Sequence, residues 1–582
     1  EIFFAVISTT ITLVAVFFPI VFMDGMTGRL FREFSIVVSG SVIISSFAAL
    51  TFTPMLATKL LIKREKQSWF YRKTEPFFEG LNNLYSRSLA AFLRKRWIAL
   101  PFTAATILII GFLWNHIPAE MAPLEDRSQI SINTRGAEGV TYEYIRDYTE
   151  DINQLVDSIV PDAEAVTARV SSGSGNVRIT LKDMQDRDYT QMEVAEKLSK
   201  AVQKKTMARS FVQQSSSFGG RRGGMPVQYV LQATNIEKLQ EVLPKFMAKV
   251  YENPVFQMAD VDLKFSKPEA RININRDKAS IMGVSTRNIA QTLQYGLSGQ
   301  RMGYFYMNGK QYEILGEINR QQRNKPADLK GIYIRSDKGD MVQLDNLIEL
   351  TNGIAPPKLY RYNRFVSATI SAGLADGKTI GQGLDEMDKI AKETLDDTFR
   401  TALTGDSKEY RESSSSLMFA FILAILLIYL ILAAQFESFK DPLIIMLTVP
   451  LAIAGALVFM YFGGITMNIF SQIGIIMLIG LVAKNGILIV EFANQKQETG
   501  EDKMQAIKDA ALQRLRPILM TSASTVLGLI PLAFATGEGC NQRIAMGTAV
   551  VGGMLVSTLL TMYIVPAIYS YVSTNRSKLK NE

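Results

Sequence analysis

Cysteine and histidine are almost missing from this chain: 582 residues hold one of each, Cys540 and His116. A single cysteine builds no disulfide framework within the chain, and two such ligands build no Cys/His zinc site. No nucleophile–base pair, metal cluster or cofactor loop stands out, so an enzyme is not expected and no cofactor is called for. One near miss is GLADGKT at 373–379. A phosphate-binding loop needs a glycine five residues before its Gly-Lys pair, and Ala372 stands there. The net charge of +8 is spread over segments that flank apolar runs. Nucleic-acid binding needs a basic face interleaved with aromatics, and none is found.

Long apolar runs are abundant. Eight are long enough to span a bilayer, at 3–23, 37–61, 97–116, 416–434, 442–462, 468–493, 517–536 and 543–571. Between the third and fourth lies a polar block, 117–415, large enough for two domains. Lysine and arginine cluster in 62–96, in 494–516 and in the tail after 571. Alternating spans put all three on one side, the cytoplasm, and the polar block outside. Within 70–95, Phe70, Phe77, Phe78, Leu81, Leu84 and Tyr85 suit either an amphipathic helix on the membrane surface or an ordinary connecting helix. No signal peptide is visible and the sequence starts at Glu1, almost inside an apolar run, which suggests a fragment.

The first two spans repeat in the last two at a constant offset of 512 residues. Thr9 matches Thr521, Pro19 Pro531, Gly25 Gly537, Gly40 Gly552, Ser45 Ser557 and Pro54 Pro566. Both copies run outward and back, so the repeat is parallel, about an axis along the membrane normal. The same offset places a counterpart of the 468–493 span upstream of Glu1. The expected parent chain is therefore about 1,000 residues or more.

The polar block alternates strand-like and helix-like stretches. SQISINTRG reads as a strand, 140–158 as a helix, 164–182 as a hairpin and 188–207 as a helix. PVQYVLQA follows as a strand, then a helix at 236–252, a hairpin through VDLKFSKPEARININ and a helix at 285–298. A β-rich insertion at 303–352, the strand FVSATISAG and a helix at 380–396 complete the block. Strand–helix–strand units in this order predict two ferredoxin-like modules with an insertion. Between the modules, SSSFGGRRGGMP (215–226) reads either as a plain linker or as a mobile loop with an aromatic tip at a binding cleft.

Inside the apolar run IMLIGLVAKNGILIVEFAN stands Lys484. A charge near the bilayer centre costs at least ~2.5 kcal/mol, so such a residue faces the bundle interior and pairs with something. Glu491 lies two helical turns toward the cytoplasm and Asp441 at a span end, which makes both poor partners. A Lys–carboxylate pair whose acid takes up a proton is a proton relay; a static pair that pins two helices is the alternative. Thr521, Ser522, Ser524 and Thr525 supply hydroxyls for water or for a bridge to Lys484, or simply small surfaces for helix packing. Arg514 and Arg516 stand at the cytoplasmic edge, Arg516 as an anchor and Arg514 as an anchor or a proton exit.

GLVAKNGILIVEFA, RLRPILMTS, TGRLFREFSI, TPMLATKLL and IPAEMAPLEDRSQISINTRGAEGVT together resemble the hydrophobe/amphiphile efflux branch of the resistance–nodulation–division transporters, the AcrB-like multidrug pumps. The resemblance covers essentially the whole chain and implies the C-terminal part of such a pump. The implied fold is a polytopic α-helical membrane protein, with about eight of the family's twelve spans present and an α+β periplasmic porter domain of ferredoxin-like modules. The implied organisation is two spans in 1–61, a cytoplasmic segment with an amphipathic helix in 62–96 and a span at 97–116. Porter modules follow in 117–415, with a docking insertion near 303–352, then five spans in 416–571 and a cytoplasmic tail in 572–582.

By the same resemblance Lys484, Thr521 and Arg514 match the family's proton-relay lysine, threonine and arginine. The paired aspartates that take up the proton are not in this chain. Phe218, Gly219, Gly220, Arg221 and Arg222 match a loop lining the drug path, although GGRRGG departs from the best-known drug pumps and leaves the substrate open. The resemblance implies a homotrimer in the Gram-negative inner membrane, surrounded by lipid, with a periplasmic membrane-fusion adaptor and an outer-membrane channel. It expels amphiphilic small molecules as protons enter. A heavy-metal exporter on the same fold is the alternative, and it calls for clustered methionines, of which Met302 and Met307 are the nearest case. A non-transporting remnant is a further alternative, against which the retained Lys484 argues.

Overall fold

The computed structural model describes residues 3–23, 25–60, 69–214, 225–354, 358–375 and 377–574. Two long helices open the chain, α1 (Phe3–Val21) and α2 (Gly25–Leu60). Gly25 takes φ +82°, where a side chain would be strained, and the chain reverses there. Arg32 Nε donates to Val21 O at 2.9 Å, which satisfies a carbonyl that the end of α1 leaves open. Next come α3 (Trp69–Arg94) and α4 (Ala99–His116). The stripe Tyr85, Leu89 and Leu93 of α3 is buried against the bundle, and Tyr85 OH donates to Met562 O at 2.6 Å. Phe77 and Leu84 remain exposed.

The α/β domain then begins. β1 (Gln129–Arg135), α5 (Tyr142–Ile159), β2 (Ala165–Ser171), β3 (Ser174–Thr180), α6 (Gln191–Gln203) and β4 (Arg209–Gln214) form one module. Its antiparallel sheet runs β2-β3-β1-β4, the split βαβ arrangement that the sequence predicts. Ile130 and Ile132 of β1, with Val177 and Ile179 of β3, alternate onto the helix side and meet Tyr148, Ile152 and Leu198. Thr141 caps α5, and a Thr190–Glu193 capping box starts α6.

The second module repeats the plan with β5 (Val227–Ala233), α7 (Ile236–Glu252) and β6 (Phe256–Val261). An excursion follows: β7 (Pro268–Ile274), α8 (Arg276–Ile281), α9 (Thr286–Ser298), β8 (Gln300–Met307), β9 (Lys310–Gly316), β10 (Tyr333–Arg335), β11 (Met341–Gln343) and β12 (Ile348–Ile354). The module then resumes with β13 (Tyr360–Tyr362), β14 (Phe365–Leu374), α10 (Ile380–Thr394) and β15 (Arg400–Leu403). β14 pairs with β5 along one edge and with β6 and β13 along the other, while β15 closes the far side of β5.

Two expectations change here. The stretch VDLKFSKPEARININ is no hairpin: β6 pairs with β14, and β7 pairs with β12. Period-two alternation specifies which faces a strand shows, not which strand it joins. The excursion therefore starts at β7 rather than near 303, and it has its own small core of Ala279, Val284, Ile289, Ile334, Leu344 and Leu347. The glycine-lysine stretch set aside as a nucleotide loop ends in a helix cap, where Thr379 and Gln382 form a capping box on α10.

The last part is helical: α11 (Gly405–Phe436), α12 (Asp441–Met446), α13 (Thr448–Phe462), α14 (Ile469–Glu498), α15 (Lys503–Ala533) and α16 (Cys540–Val572). α11 starts within the α/β domain, earlier than the apolar run predicts. Ser407 Oγ accepts from Gln228 N at 2.8 Å and donates to Pro226 O at 3.2 Å, which ties β5 to the first turn of this long helix. Against eight expected spans, seven helices among the described residues are long and apolar enough to cross a membrane; α1 contributes a shorter apolar stretch, Val6–Val21.

The sequence repeat has a structural counterpart. Thr9 Oγ1 donates to Val6 O at 3.0 Å and Thr521 Oγ1 to Ile518 O at 3.2 Å, the same bond one turn back. Gly25 and Gly537 share a left-handed backbone, with φ +82° and +90°. Pro19 and Pro531 sit inside α1 and α15, Pro54 and Pro566 inside α2 and α16. The environments differ. A Cβ on Gly552 would lie 2.4 Å from Cβ of Phe459 in α13, whereas one on Gly40 would meet nothing within 4 Å among the described residues.

Candidate functional site

α14 is the central helix. It packs against α1, α13, α15 and α16, and residues from Ile473 to Ala493 belong to the bundle core. Close approach needs a small residue at the contact. At Gly480 a Cβ would sit 3.0 Å from Cγ2 of Val16, so this stripe of α14 faces α1. Lys484 stands one turn further along the same stripe. It is half-buried, the sixteenth of thirty residues in α14, and so roughly 20 Å from either helix end. Among the described residues no carboxylate lies within ion-pair distance of it.

The next residue, Asn485, is fully buried and makes the polar contact that ties three helices. Its Nδ2 lies 3.4 Å from Ser522 Oγ on α15 and 3.5 Å from Thr558 Oγ1 on α16. Thr558 Oγ1 in turn donates to Ser522 Oγ at 3.1 Å. The hydroxyl run on α15 thus reaches α14 through Ser522. Thr521 lies on the exposed side of α15, bonded back to its own helix, and the structure does not bring it to Lys484.

Arg514 lies two turns before Thr521 on α15. Its guanidinium stacks over the Phe492 ring of α14 at 4.4 Å, and its Nε is buried without a hydrogen-bond partner. Glu491, beside Phe492, accepts from Gln495 at 3.5 Å through Oε1, while its buried Oε2 has no hydrogen-bond partner. Arg516 faces the other way. It pairs with Glu75 at 3.2 Å and stacks on Phe78, fastening α15 to α3. Asp441 is engaged elsewhere: Asn494 donates to it at 3.1 Å, Tyr569 OH to Asn494 at 2.5 Å and Gln497 to Tyr569 at 2.6 Å.

A second cluster joins the α/β domain to the bundle. The carboxylate of Glu125, 1% exposed, accepts from Gln542 N at 2.9 Å and Asn541 N at 3.3 Å, in the first turn of α16. Asp126 accepts from Gln191 N at 2.9 Å at the start of α6, and pairs with the fully buried Arg187. Nearby, residues 118–121 run beside the loop before α14: Glu120 N donates to Met467 O at 3.0 Å and Met467 N to Pro118 O at 2.8 Å. Sequence reasoning passed over Glu125 and Asp126; two adjacent acids in a polar stretch were the available signal.

The predicted substrate-path residues Phe218, Gly219, Gly220, Arg221 and Arg222 lie outside the described residues. Met302 and Met307 sit on the exposed β8–β9 hairpin. Among the described residues no group of three or more His, Cys, Asp and Glu side chains is placed to hold a metal ion.

The family model described as the AcrB/AcrD/AcrF family matches residues 1–573. An uncharacterized transporter of Haemophilus influenzae is 31% identical over 589 residues, covering 100% of this chain and 57% of that protein. The chain thus spans little more than half the length of that relative. The repeat, the two split βαβ modules and the helical bundle agree with a match over nearly the whole length: the chain belongs to the AcrB/AcrD/AcrF family.

Proposed function

We propose that the complete protein is a secondary transporter that exports hydrophobic or amphiphilic compounds across the Gram-negative envelope, driven by proton entry. Lys484 carries the reading. A lysine half-way along the central helix costs several kcal/mol in a bilayer and has no scaffold role that a leucine would not fill. Its cost is offset if it faces carboxylates that gain and lose protons. Those carboxylates belong to the part of the protein beyond this chain. Protonation of the acid removes the attraction that holds the lysine, and the helices on either side of it shift.

In this reading Lys484, Thr521 and Arg514 form the relay. The exposed position of Thr521 leaves it open to groups outside this chain, while the guanidinium of Arg514 is held against Phe492. Glu125 and Asp126 carry the movement into the α/β domain, the porter. The protein works as a homotrimer in the inner membrane, with a periplasmic adaptor and an outer-membrane channel.

The test is export of a fluorescent amphiphile by cells that express the complete gene and lack other pumps. Lys484→Ala abolishes export while trimer assembly, read by cross-linking, stays intact. Undiminished export by an assembled Lys484→Ala protein overturns the relay.

A further inference from the structure

The corner where α3 passes into α4 collects positive charge. Arg94 ends α3, Lys95 follows, and Arg96 opens the 3-10 turn (Arg96–Ile98) that leads into α4. The sequence has no aspartate or glutamate from 80 to 119, and none from 539 to 581, a stretch that includes all of α16. These two acid-free stretches meet here. The Arg96 guanidinium stacks over the Tyr571 ring at 4.4 Å, and its Nη1 donates to Ser570 Oγ at 3.3 Å, both in the last turn of α16. Lys503, at the start of α15, reaches the same turn and donates to Ser573 O at 2.5 Å.

A cation at a helix C-terminus answers the open carbonyls and the dipole of the last turn. Lys503 does this. Arg96 does not: its partners are a ring and a hydroxyl, and that hydroxyl already donates to Ala567 O at 2.6 Å. Among the described residues Arg94, Lys95 and Arg96 have no ion pair. Acids on adjoining elements are taken. Glu501 pairs with Lys496 at 2.8 Å, Asp502 accepts from Met504 N at 3.1 Å and Asp441 from Asn494 at 3.1 Å.

The corner also lies at the end of two apolar helices: the stretch Arg96–His116 starts here and Cys540–Val572 stops here. Trp97, Leu100 and Tyr571 are exposed around the cations. Basic groups beside exposed aromatic rings at a span end suit the boundary between lipid headgroups and acyl chains, on the side that lysine and arginine clusters mark as cytoplasmic. A guanidinium recognises phosphate oxygens in a forked geometry, and juxtamembrane cations attract anionic headgroups. Below the cations, Leu100, Ala104 and Ile107 form an exposed stripe down α4.

We propose that this corner binds one anionic phospholipid of the cytoplasmic leaflet. Arg96, stacked on Tyr571, takes the phosphate, with Arg94 and Lys95 adjoining. Trp97 flanks the head, and an acyl chain lies along Leu100, Ala104 and Ile107. The lipid ties the start of α4 to the end of α16, whatever the protein transports.

Native mass spectrometry of the purified complete protein in neutral detergent tests the site. Bound lipid is counted as dioleoyl phosphatidylglycerol or dioleoyl phosphatidylethanolamine is added. The wild type is expected to prefer phosphatidylglycerol. Arg96→Gln weakens that binding roughly tenfold and leaves phosphatidylethanolamine unchanged. Arg96→Lys, which keeps the charge and loses the fork, weakens it less. Arg87→Gln removes an exposed cation of α3 more than two turns back and changes nothing. Should the Arg96 variants fail to fold, Lys95→Gln carries the test, since this exposed side chain makes no hydrogen bond or ion pair among the described residues. A smaller loss confined to phosphatidylglycerol supports the site, and no loss overturns it. Equal loss in Arg87→Gln and Arg96→Gln also overturns it and leaves only a general attraction between a basic segment and an anionic surface.

A wild type that binds both lipids equally contradicts the proposal outright.

Discussion

Glu125 and Asp126 are neighbours in the chain, and they cap helices in different parts of the molecule. Glu125 receives two backbone N–H groups at the start of α16, and Asp126 receives one at the start of α6. One rigid peptide thus links a bundle helix to an α/β-domain helix. A displacement of α16 along its axis pulls on α6 through two charge-assisted hydrogen-bond sets.

The two caps are predicted to differ in strength. Glu125→Ala removes an acceptor from a helix N-terminus and costs about 1–2 kcal/mol. Asp126→Ala also leaves Arg187, fully buried, without its carboxylate, and costs about 3–5 kcal/mol. Thermal melting of the purified complete protein checks the order. Equal melting temperatures for the two variants contradict it.

The Asn485–Ser522–Thr558 triad is predicted to behave as a unit. Ser522→Ala and Thr558→Val each cost about 0.5–1.5 kcal/mol, and the double variant costs less than their sum because both act on the same hydrogen bonds. A double-mutant cycle on unfolding in mixed micelles measures the coupling. Simple additivity places the hydroxyls in ordinary helix packing.

Gly552 is predicted to tolerate no side chain. Its Cβ would sit 2.4 Å from Phe459, and overpacking of this kind costs about 1–3 kcal/mol. Gly552→Ala lowers the melting temperature, and Phe459→Ala in the same chain recovers part of the loss. Failure of that rescue separates the effect from the α13–α16 contact.

Glu120 supplies a pH dependence. It is half-buried beside Thr466, and this partial burial pushes its carboxyl above the ordinary value, with the Thr466 hydroxyl pulling the other way. The folded protein then holds this proton more tightly than the unfolded chain. The group's contribution is full below the ordinary carboxylate pKa and is lost as pH rises through the raised one. Glu120→Gln keeps an acceptor for Thr466 and removes the penalised charge. It is expected to raise the melting temperature near pH 8 and leave it unchanged near pH 4. The same shift at both pH values contradicts the burial account.

Much of this architecture is legible in the sequence. Lys484 stood out because a charge inside an apolar run is costly. β1 and β3 stood out because Ile130, Ile132, Val177 and Ile179 alternate with polar residues. The repeat was readable from glycines and prolines in one register, and the structure shows why: Gly25 and Gly537 share a backbone conformation that favours glycine. Strand partners were not legible, since the alternation in β6 and β7 is the same whether they pair with each other or with β14 and β12. Nor was the choice between Thr521 and Ser522. Adjacent helical positions differ by about 100° around the axis, and only the placement of α14 decides which hydroxyl meets Asn485. Glu125 and Asp126 were hidden because their partners, Asn541, Gln542 and Arg187, lie far away in sequence.

The most direct test of the central claim is proton flux in proteoliposomes holding the complete protein, with a pH-sensitive dye inside. Addition of an exported amphiphile should accelerate proton movement in the wild type and leave it at the passive leak in Lys484→Ala. Amphiphile-dependent proton movement that survives loss of Lys484 would contradict the account.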